Sequence, residues 1–169
     1  GLKLSEAQLV EVARTLGSDV PVCVGARPAY MTDTGQTFSD MKLPEFDVVL
    51  VNPNLPMPTP DVYRRFDAMN LGGGFSEAPA PDWPTREAAL AGMAAAGNDL
   101  EAPAQAIMPV LKVMSAYLRA DPRVLYAALS GSGATMFAIV NDPADAEALR
   151  DRIVVEHPEW WVRAARLGG

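Results

Sequence analysis

The stretch LSGSGATMFAIV, residues 129–140, sets two glycines and two serines directly before an apolar run. Another apolar run, RVLYAAL at 123–129, comes just before them, so the sequence predicts two strands joined by a tight turn. Glycine-containing links between strands are common, and the local pattern therefore favours a plain hairpin. Glycines also let the backbone approach a ligand and turn N–H groups toward an anion, so a phosphate-side loop remains the alternative.

Two familiar motifs do not fit this loop. A P-loop would need Lys-Ser or Lys-Thr after the glycines, and neither follows. A hydrolase nucleophile elbow would need a glycine at the position that Ala128 occupies. The phosphate alternative therefore depends on the glycines and on what surrounds them.

The surroundings of the hairpin predict an α+β fold. FDVVLVNP, residues 46–53, is a short β-branched run closed by Asn-Pro, which is typical of a buried strand. Downstream, Asp142 is expected to cap the helix DPADAEALRDRIV, and WWVRAARL is predicted as the last strand. The order from Phe46 is strand, helices, strand, strand, helix, strand. This order is the split βαβ pattern of a ferredoxin-like layer with an inserted helical segment.

The inserted segment is predicted to be helical with one long loop. Thr59 is a plausible N-cap with Pro60 as the first helical residue, and TREAALAGMAAAG predicts a second helix. Asn98 is expected to cap a longer helix that Pro109 kinks. Residues 70–84 are rich in Gly and Pro and are interpreted as a mobile loop.

The first part of the chain predicts a helix followed by a hairpin. Ser5 is the expected N-cap and Gly17 the residue after the helix end. The helical apolar stripe comprises Leu4, Leu9, Val12, Ala13 and Leu16. Alternating valines predict a strand at 20–25 paired with an extended run at 28–32, with TDTGQ as a further turn. A chain that opens directly on an amphipathic helix is interpreted as the second part of something longer.

Composition narrows the class of protein. The 169-residue chain has a net charge of −7 and no cluster of Lys and Arg, so a nucleic-acid partner is not expected. No apolar run reaches the length of a membrane span, and Cys23, between two valines, is interpreted as a buried thiol in a cytoplasmic protein. His157 is the single histidine, so a zinc site is not expected, and it is interpreted as part of a connector before a strand.

Two other stretches could carry chemistry. Asp19, in LGSDVPV, follows a helix end; such a residue is usually a cap, but its carboxylate could also accept a proton from a substrate hydroxyl. Thr59 and Tyr63 lie one helical turn apart and could offer a hydroxyl and an aromatic face to a nucleobase or a polyol. A capped surface helix explains the second pair equally well.

Taken together and in order, these pieces resemble one family. GSDVP at 17–21, PTPDVY at 58–63, NDLE at 98–101 and the loop at 129–140 are similar to motifs of the GHMP small-molecule kinases. The resemblance covers nearly the whole chain. Its first two motifs resemble most the branch that acts on a cytidine-diphospho sugar alcohol of the non-mevalonate isoprenoid pathway.

The resemblance implies an activity and a site. These kinases transfer the γ-phosphoryl group of ATP, with Mg²⁺, to a hydroxyl of a small molecule. It implies that Asp19 is the catalytic base and that Asn98 and Asp99 are helix caps, and no residue is assigned as a metal ligand. The residues implied beside the substrate are Thr59, Pro60 and Tyr63. The residues implied beside the phosphates are Ser130, Gly131, Ser132, Gly133 and Ala134.

The resemblance also implies a domain division. Residues 1–44 would be the end of the N-terminal kinase domain, and residues 45–169 the ferredoxin-like C-terminal domain. The family's main ATP loop and its catalytic lysine would lie before residue 1. The expected partners are then the small-molecule substrate and the missing N-terminal part, and this chain alone is expected to be inactive.

Two alternatives remain open at this stage. One is another GHMP kinase, acting on mevalonate or homoserine. The other is a regulatory module that binds a small molecule without catalysis, a use that ferredoxin-like layers often serve.

Overall fold

The computed structural model describes residues 3–32, 35, 37–73 and 80–168. The chain forms two compact units. The first comprises Gly1–Pro44, Glu77–Ala89 and Gly168–Gly169, and the second comprises Glu45–Ser76 and Leu90–Leu167.

The first unit contains two helices and a two-stranded sheet. Helix α1 is Glu6–Arg14 and α2 is Val20–Gly25; strands β1, Ala29–Thr32, and β2, Thr37–Asp40, pair antiparallel. The predicted N-cap of α1 is confirmed: the Gln8 amide N–H donates to the Ser5 hydroxyl and the Gln8 side chain accepts from the Ser5 N–H, which forms a capping box.

The predicted strand at 20–25 is wrong, because this segment is helix α2. Pro21 lies in the first turn, where a proline suits a helix, and Ala26 ends it in a left-handed conformation with φ of 46°. Three alternating valines are too few to distinguish a strand from one helical turn. The extended run at 28–32 is confirmed as β1, but its partner is β2. The predicted TDTGQ turn falls mostly outside the described residues.

The apolar stripe of α1 is not buried within the described part of the chain. Only Ala13 is buried, whereas Leu9, Val12 and Leu16 are 43%, 53% and 71% exposed. The expectation that Cys23 is buried is also wrong, because its thiol is exposed; it donates to the Asp19 carbonyl oxygen at 3.3 Å. Thr15 is the C-cap of α1, so the residue after the helix end is Leu16 and not the predicted Gly17.

The second unit is built on an antiparallel sheet that confirms the split βαβ pattern. Its strands are β3, Phe46–Asn52; β4, Val124–Leu129; β5, Met136–Val140; and β6, Trp161–Leu167. They lie in the order β4-β5-β3-β6, with Val49 of β3 opposite Ala138 and Ala164. The two strands on either side of the glycine-rich loop are therefore neighbours, as predicted.

Five helices complete the described chain: α3, Thr59–Ala68; α4, Arg86–Ala96; α5, Glu101–Ile107; α6, Val110–Ala120; and α7, Pro143–Glu156. The long helix predicted from Asn98 is divided into α5 and α6, and Pro109 is the N-cap of α6. Asp142 caps α7 as predicted. Of the predicted loop at 70–84, residues 74–79 lie outside the described residues, and the rest forms no helix or strand. Among the described residues, no helix combines the length and apolar character that crossing a bilayer requires.

The core of the second unit lies between the sheet and helices α6 and α7. Val49, Val51 and Met136 of the sheet are fully buried together with Leu111, Met114 and Leu118 of α6 and Leu149 and Ile153 of α7. This core holds β4 and β5 in place and so positions the two ends of the glycine-rich loop that joins them.

A buried carboxylate joins α6 to α7. The Asp121 side chain is fully buried and accepts from Arg123, at 2.6 and 2.8 Å, and from Arg152, at 2.9 Å. These bonds, chiefly those from Arg123, lower the pKa of Asp121 to about 2.

Candidate active site

The glycine-rich loop is a tight turn between β4 and β5. The Ser130 N–H donates to the Thr135 carbonyl and the Gly133 N–H to the Ser130 carbonyl, both at 2.9 Å. Gly131 and Gly133 have φ of 55° and 91°, in the left-handed region that favours glycine. The turn predicted from the sequence is confirmed, and the glycines are required by its geometry.

Two successive N–H groups of the loop, those of Gly131 and Ser132, have no protein acceptor among the described residues. Successive free N–H groups in a turn form a concave site for an anion. The loop can therefore accept a phosphate oxygen without any basic side chain.

The Asn/Pro segment meets this loop at Thr59. Thr59 is the first residue of α3 and not its cap, which is Pro58. The Thr59 hydroxyl oxygen lies 2.8 Å from that of Ser132. A side chain at Gly133 would collide with the terminal methyl of Met57, so this methyl packs against the loop. Two regions 73 residues apart in the chain thus form one surface.

Tyr63 and Pro60 extend this surface. Tyr63 lies one turn after Thr59 on α3, and 53% of it is exposed. Pro60, the second residue of the helix, is also exposed. An exposed aromatic ring beside hydroxyl groups can stack on a planar or apolar part of a ligand.

Sequence analysis missed the role of Asn52. Its side-chain amide donates to the Thr135 hydroxyl at 2.9 Å, and its oxygen accepts from the Asn54 N–H at 2.8 Å. The Asn54 side chain donates to the Glu159 carbonyl at 2.8 Å. The Asn-Pro-Asn sequence is a signal for such a local turn, but nothing in it indicates a contact to Thr135.

Asn98 was predicted only as a helix cap, but its side chain also donates hydrogen bonds to the glycine-rich loop and to the strand before it. Its oxygen accepts from the Leu100 N–H at 2.9 Å, although the N-cap of α5 is Leu100 itself. Its side-chain amide donates to the carbonyls of Leu129 and Gly131, at 2.9 and 2.8 Å. Asp99 is exposed and its side chain caps no helix among the described residues.

Glu101 of α5 is linked to β4 through Arg119 of α6. Its carboxylate accepts from the Ser115 hydroxyl at 3.1 Å and from Arg119 at 2.9 Å. Arg119 in turn donates to the Ala127 carbonyl at 3.1 Å. The strand that leads into the glycine-rich loop is therefore tied to both α5 and α6.

Asp19 belongs to the first unit, whereas the other candidate residues belong to the second. It occupies the N-cap position of α2, but its side chain makes no capping hydrogen bond; it is exposed and accepts from the Ser18 hydroxyl at 3.1 Å. Gly35 has φ of 78°, and a side chain there would collide with the Ser18 carbonyl. Gly35 therefore packs against the Ser18 backbone next to Asp19, and the Asp19 side chain is exposed.

The described residues include no group of three His, Cys, Asp or Glu side chains that could hold a metal ion. His157 ends α7 and stacks on Trp160, with ring centroids 3.8 Å apart. It lies in the connector between α7 and β6, as predicted.

The known proteins to which this chain is similar in sequence are small-molecule kinases. Residues 76–157 match the family described as GHMP kinases C terminal. A 4-diphosphocytidyl-2-C-methyl-D-erythritol kinase of Rhodopseudomonas palustris (strain BisA53) is 40% identical over 99% of this chain and 58% of its own length. One from Caulobacter vibrioides is 41% identical over 97% of this chain and 58% of its own length.

The solved structures to which this chain is similar are also small-molecule kinases. A crystal structure of 4-(cytidine 5'-diphospho)-2C-methyl-D-erythritol kinase has a TM-score of 0.73 and 31% identity, over 95% of this chain and 57% of that one. A crystal structure of L. major mevalonate kinase in complex with R-mevalonate has a TM-score of 0.57 at 12% identity, over 98% of this chain and 59% of that one, which is a likeness in fold alone. The chain spans 58% of the length of the first curated relative.

Proposed function

We propose that this chain carries the C-terminal domain of a GHMP kinase and that the whole protein phosphorylates 4-diphosphocytidyl-2-C-methyl-D-erythritol with ATP. This reaction belongs to the non-mevalonate pathway of isoprenoid synthesis. One structural observation carries the proposal: the Thr59 and Ser132 hydroxyls lie 2.8 Å apart. The contact joins the proposed substrate segment to the proposed phosphate loop.

The phosphate end of the site is the loop from Ser130 to Ala134. The free N–H groups of Gly131 and Ser132 would donate to phosphate oxygens, which supports anion binding by a chain whose net charge is −7. Phosphoryl transfer needs positioning and stabilisation of phosphate charge more than covalent chemistry by the protein. Backbone donors held by a tight turn meet that need.

The proton-accepting group in this proposal is Asp19. The substrate hydroxyl oxygen forms a bond to the γ-phosphorus of ATP while the bond from that phosphorus to the bridging oxygen breaks and ADP leaves. The hydroxyl proton goes to the Asp19 carboxylate. The exposure of this carboxylate, with Ser18 as its hydrogen-bond donor, supports the role.

The substrate end comprises Thr59, Pro60 and Tyr63. Thr59 would position the substrate beside the phosphate loop, and the exposed ring of Tyr63 would stack on the substrate's planar group. Pro60 fixes the backbone of the first turn of α3, which holds both side chains in place.

The proposed cosubstrate is ATP, and the proposed metal is Mg²⁺. Mg²⁺ in such sites is bound by one or two carboxylates together with substrate phosphates. The described residues hold no cluster for a protein cage, so no residue here is assigned to the ion.

We infer that residues 1–44 are the end of the N-terminal kinase domain and residues 45–169 the C-terminal domain. The boundary between the two compact units at Pro44 and Glu45 supports this division. The exposed apolar side chains of Leu9, Val12 and Leu16 support a further packing partner for α1. This chain alone is then expected to lack kinase activity.

The Thr59–Ser132 contact is tested by a double-mutant cycle in the whole protein. Thr59→Val and Ser132→Ala each remove one hydroxyl, and each is expected to lower kcat/KM by about fivefold, the value of roughly 1 kcal/mol for one hydrogen bond. The double variant should be little worse than either single one. Fully multiplicative losses would mean that the two hydroxyls act independently and that the contact does not organise the site.

Tyr63→Ala is expected to raise KM for the cytidine-diphospho substrate by about tenfold, because a stacking surface worth roughly 1 kcal/mol or more is lost. KM for ATP should stay unchanged. Tyr63→Phe is the matched control, since it keeps the ring and should bind the substrate normally. Steady-state kinetics with each substrate varied in turn measures both values, and an unaltered KM in Tyr63→Ala would remove the ring from the site.

A further inference from the structure

We propose that Asn98 is a positioning residue for phosphoryl transfer, because its side-chain amide holds the glycine-rich loop in the conformation that presents its free N–H groups. The inference rests on the proposed function of the loop. Asn98 lies just before α5, half-buried, and it contacts both ends of the first half of the turn.

The two carbonyls that Asn98 binds decide where the loop N–H groups point. A trans peptide is planar, and its C=O and N–H point in opposite directions. The Gly131 carbonyl is turned toward Asn98, at 2.8 Å, so the N–H of Ser132 is directed to the opposite side. That N–H has no acceptor among the described residues.

The same amide also fixes the entry to the loop. The Leu129 carbonyl accepts from Asn98 at 2.9 Å, and the next N–H, that of Ser130, consequently points away and closes the turn on Thr135. One side chain therefore orients the carbonyls of Leu129 and Gly131, on either side of Ser130. Without it, the left-handed glycine Gly131 would be free to turn its peptide plane, since nothing else lies within van der Waals contact of a Cβ there.

Asn98 is itself held in place by a third bond. Its oxygen accepts from the Leu100 N–H at 2.9 Å, which orients the amide so that both of its hydrogens face the loop. Only asparagine offers this acceptor and two donors at this length of side chain. Aspartate has the same shape but places oxygen where the two donors are needed.

Asn98→Asp in the whole protein separates the two roles of this side chain. It keeps the acceptor for Leu100 and removes the donors to Leu129 and Gly131. We expect kcat to fall and KM for ATP to rise, each on the order of tenfold, with KM for the alcohol substrate unchanged. The matched control is Asn141→Asp, the same change at the other end of β5, which should leave both constants unchanged.

Amide hydrogen exchange of the same proteins reads the loop directly and does not depend on the identity of the substrate. Peptides covering 129–135 should exchange faster in Asn98→Asp, while those covering α5 stay protected. Asn98→Ser is the second variant, because it keeps an acceptor, adds no charge and cannot reach the two carbonyls. It should give the same loop-specific change.

The outcomes are distinguishable. Unchanged exchange at 129–135 in both variants, or a KM effect confined to the alcohol substrate, would overturn the role of Asn98. A change confined to α5 would mean that Asn98 is only a cap and would overturn it equally. If the wild-type protein shows no turnover with the cytidine-diphospho substrate, the proposed function fails, and the exchange result still decides whether Asn98 orders the loop.

Discussion

We expect Asp19→Asn in the whole protein to lower kcat by about 100-fold or more and to leave both KM values nearly unchanged. This is the usual scale for losing a positioned acid or base. Asparagine keeps the shape of the side chain and can still accept from the Ser18 hydroxyl, so the local structure should persist. Only the capacity to accept the substrate proton is removed.

Steady-state kinetics beside a matched variant tests this. Asp151→Asn makes the same change at an exposed aspartate of α7 that pairs with Arg150 on the surface, and it should behave as wild type. A kcat for Asp19→Asn equal to that of Asp151→Asn would remove Asp19 from the role of base. A raised KM without a change in kcat would give Asp19 a binding role only.

Asp121→Ala should destabilise the folded protein by about 3 kcal/mol, the usual cost of removing one partner from a buried ion pair. The Asp121 side chain is fully buried and accepts from Arg123 and Arg152. Its loss removes one link between α6 and α7 and leaves the Arg123 guanidinium without this partner, whereas Arg152 keeps its pair with Glu156. Asp121→Asn should act in the same direction. The exposed pair of Asp151 and Arg150 is worth less than about 1 kcal/mol, so Asp151→Asn is again the control.

The same carboxylate gives a pH dependence of stability. Its pKa is lowered from 3.8 to about 2 in the folded state, so the ionised form is favoured there. The ionised Asp121 therefore stabilises the folded state by about 2 kcal/mol above about pH 4. This stabilisation is lost as the pH falls from about 4 to about 2. Urea unfolding across this window should show a steeper loss in wild type than in Asp121→Ala. Parallel curves would contradict this account of Asp121.

The strands of the second unit could be predicted because each is a short β-branched or apolar run between clear turn signals. FDVVLVNP and the hairpin around the glycines are such runs, and both are strands in the structure. VPVCVG in the first unit is also a short run rich in valine, and its alternation predicted a strand. The segment is a short helix instead, with Pro21 in its first turn. Local periodicity over six residues does not separate the two.

The connections within the site could not be predicted in the same way. Thr59 and Ser132 are 73 residues apart, and Asn98 and Gly131 are 33 apart. Thr59 follows β3 and Ser132 lies between β4 and β5, so the sheet order, with β5 next to both β3 and β4, brings this pair together. Asn98 reaches Gly131 from the segment before α5. Single-sequence patterns carry local geometry, so they identified the segments but not the hydrogen bonds between them.

The most direct test of the proposed function is ADP release from ATP by the whole protein, with and without 4-diphosphocytidyl-2-C-methyl-D-erythritol, beside this 169-residue chain. The proposal predicts turnover by the whole protein only when that substrate is present, and none by the chain alone. A folded whole protein that binds ATP but does not turn over this substrate, while phosphorylating mevalonate or homoserine, would contradict the assignment of substrate. Activity of the 169-residue chain alone would contradict the proposal that this chain is only the C-terminal part of the kinase.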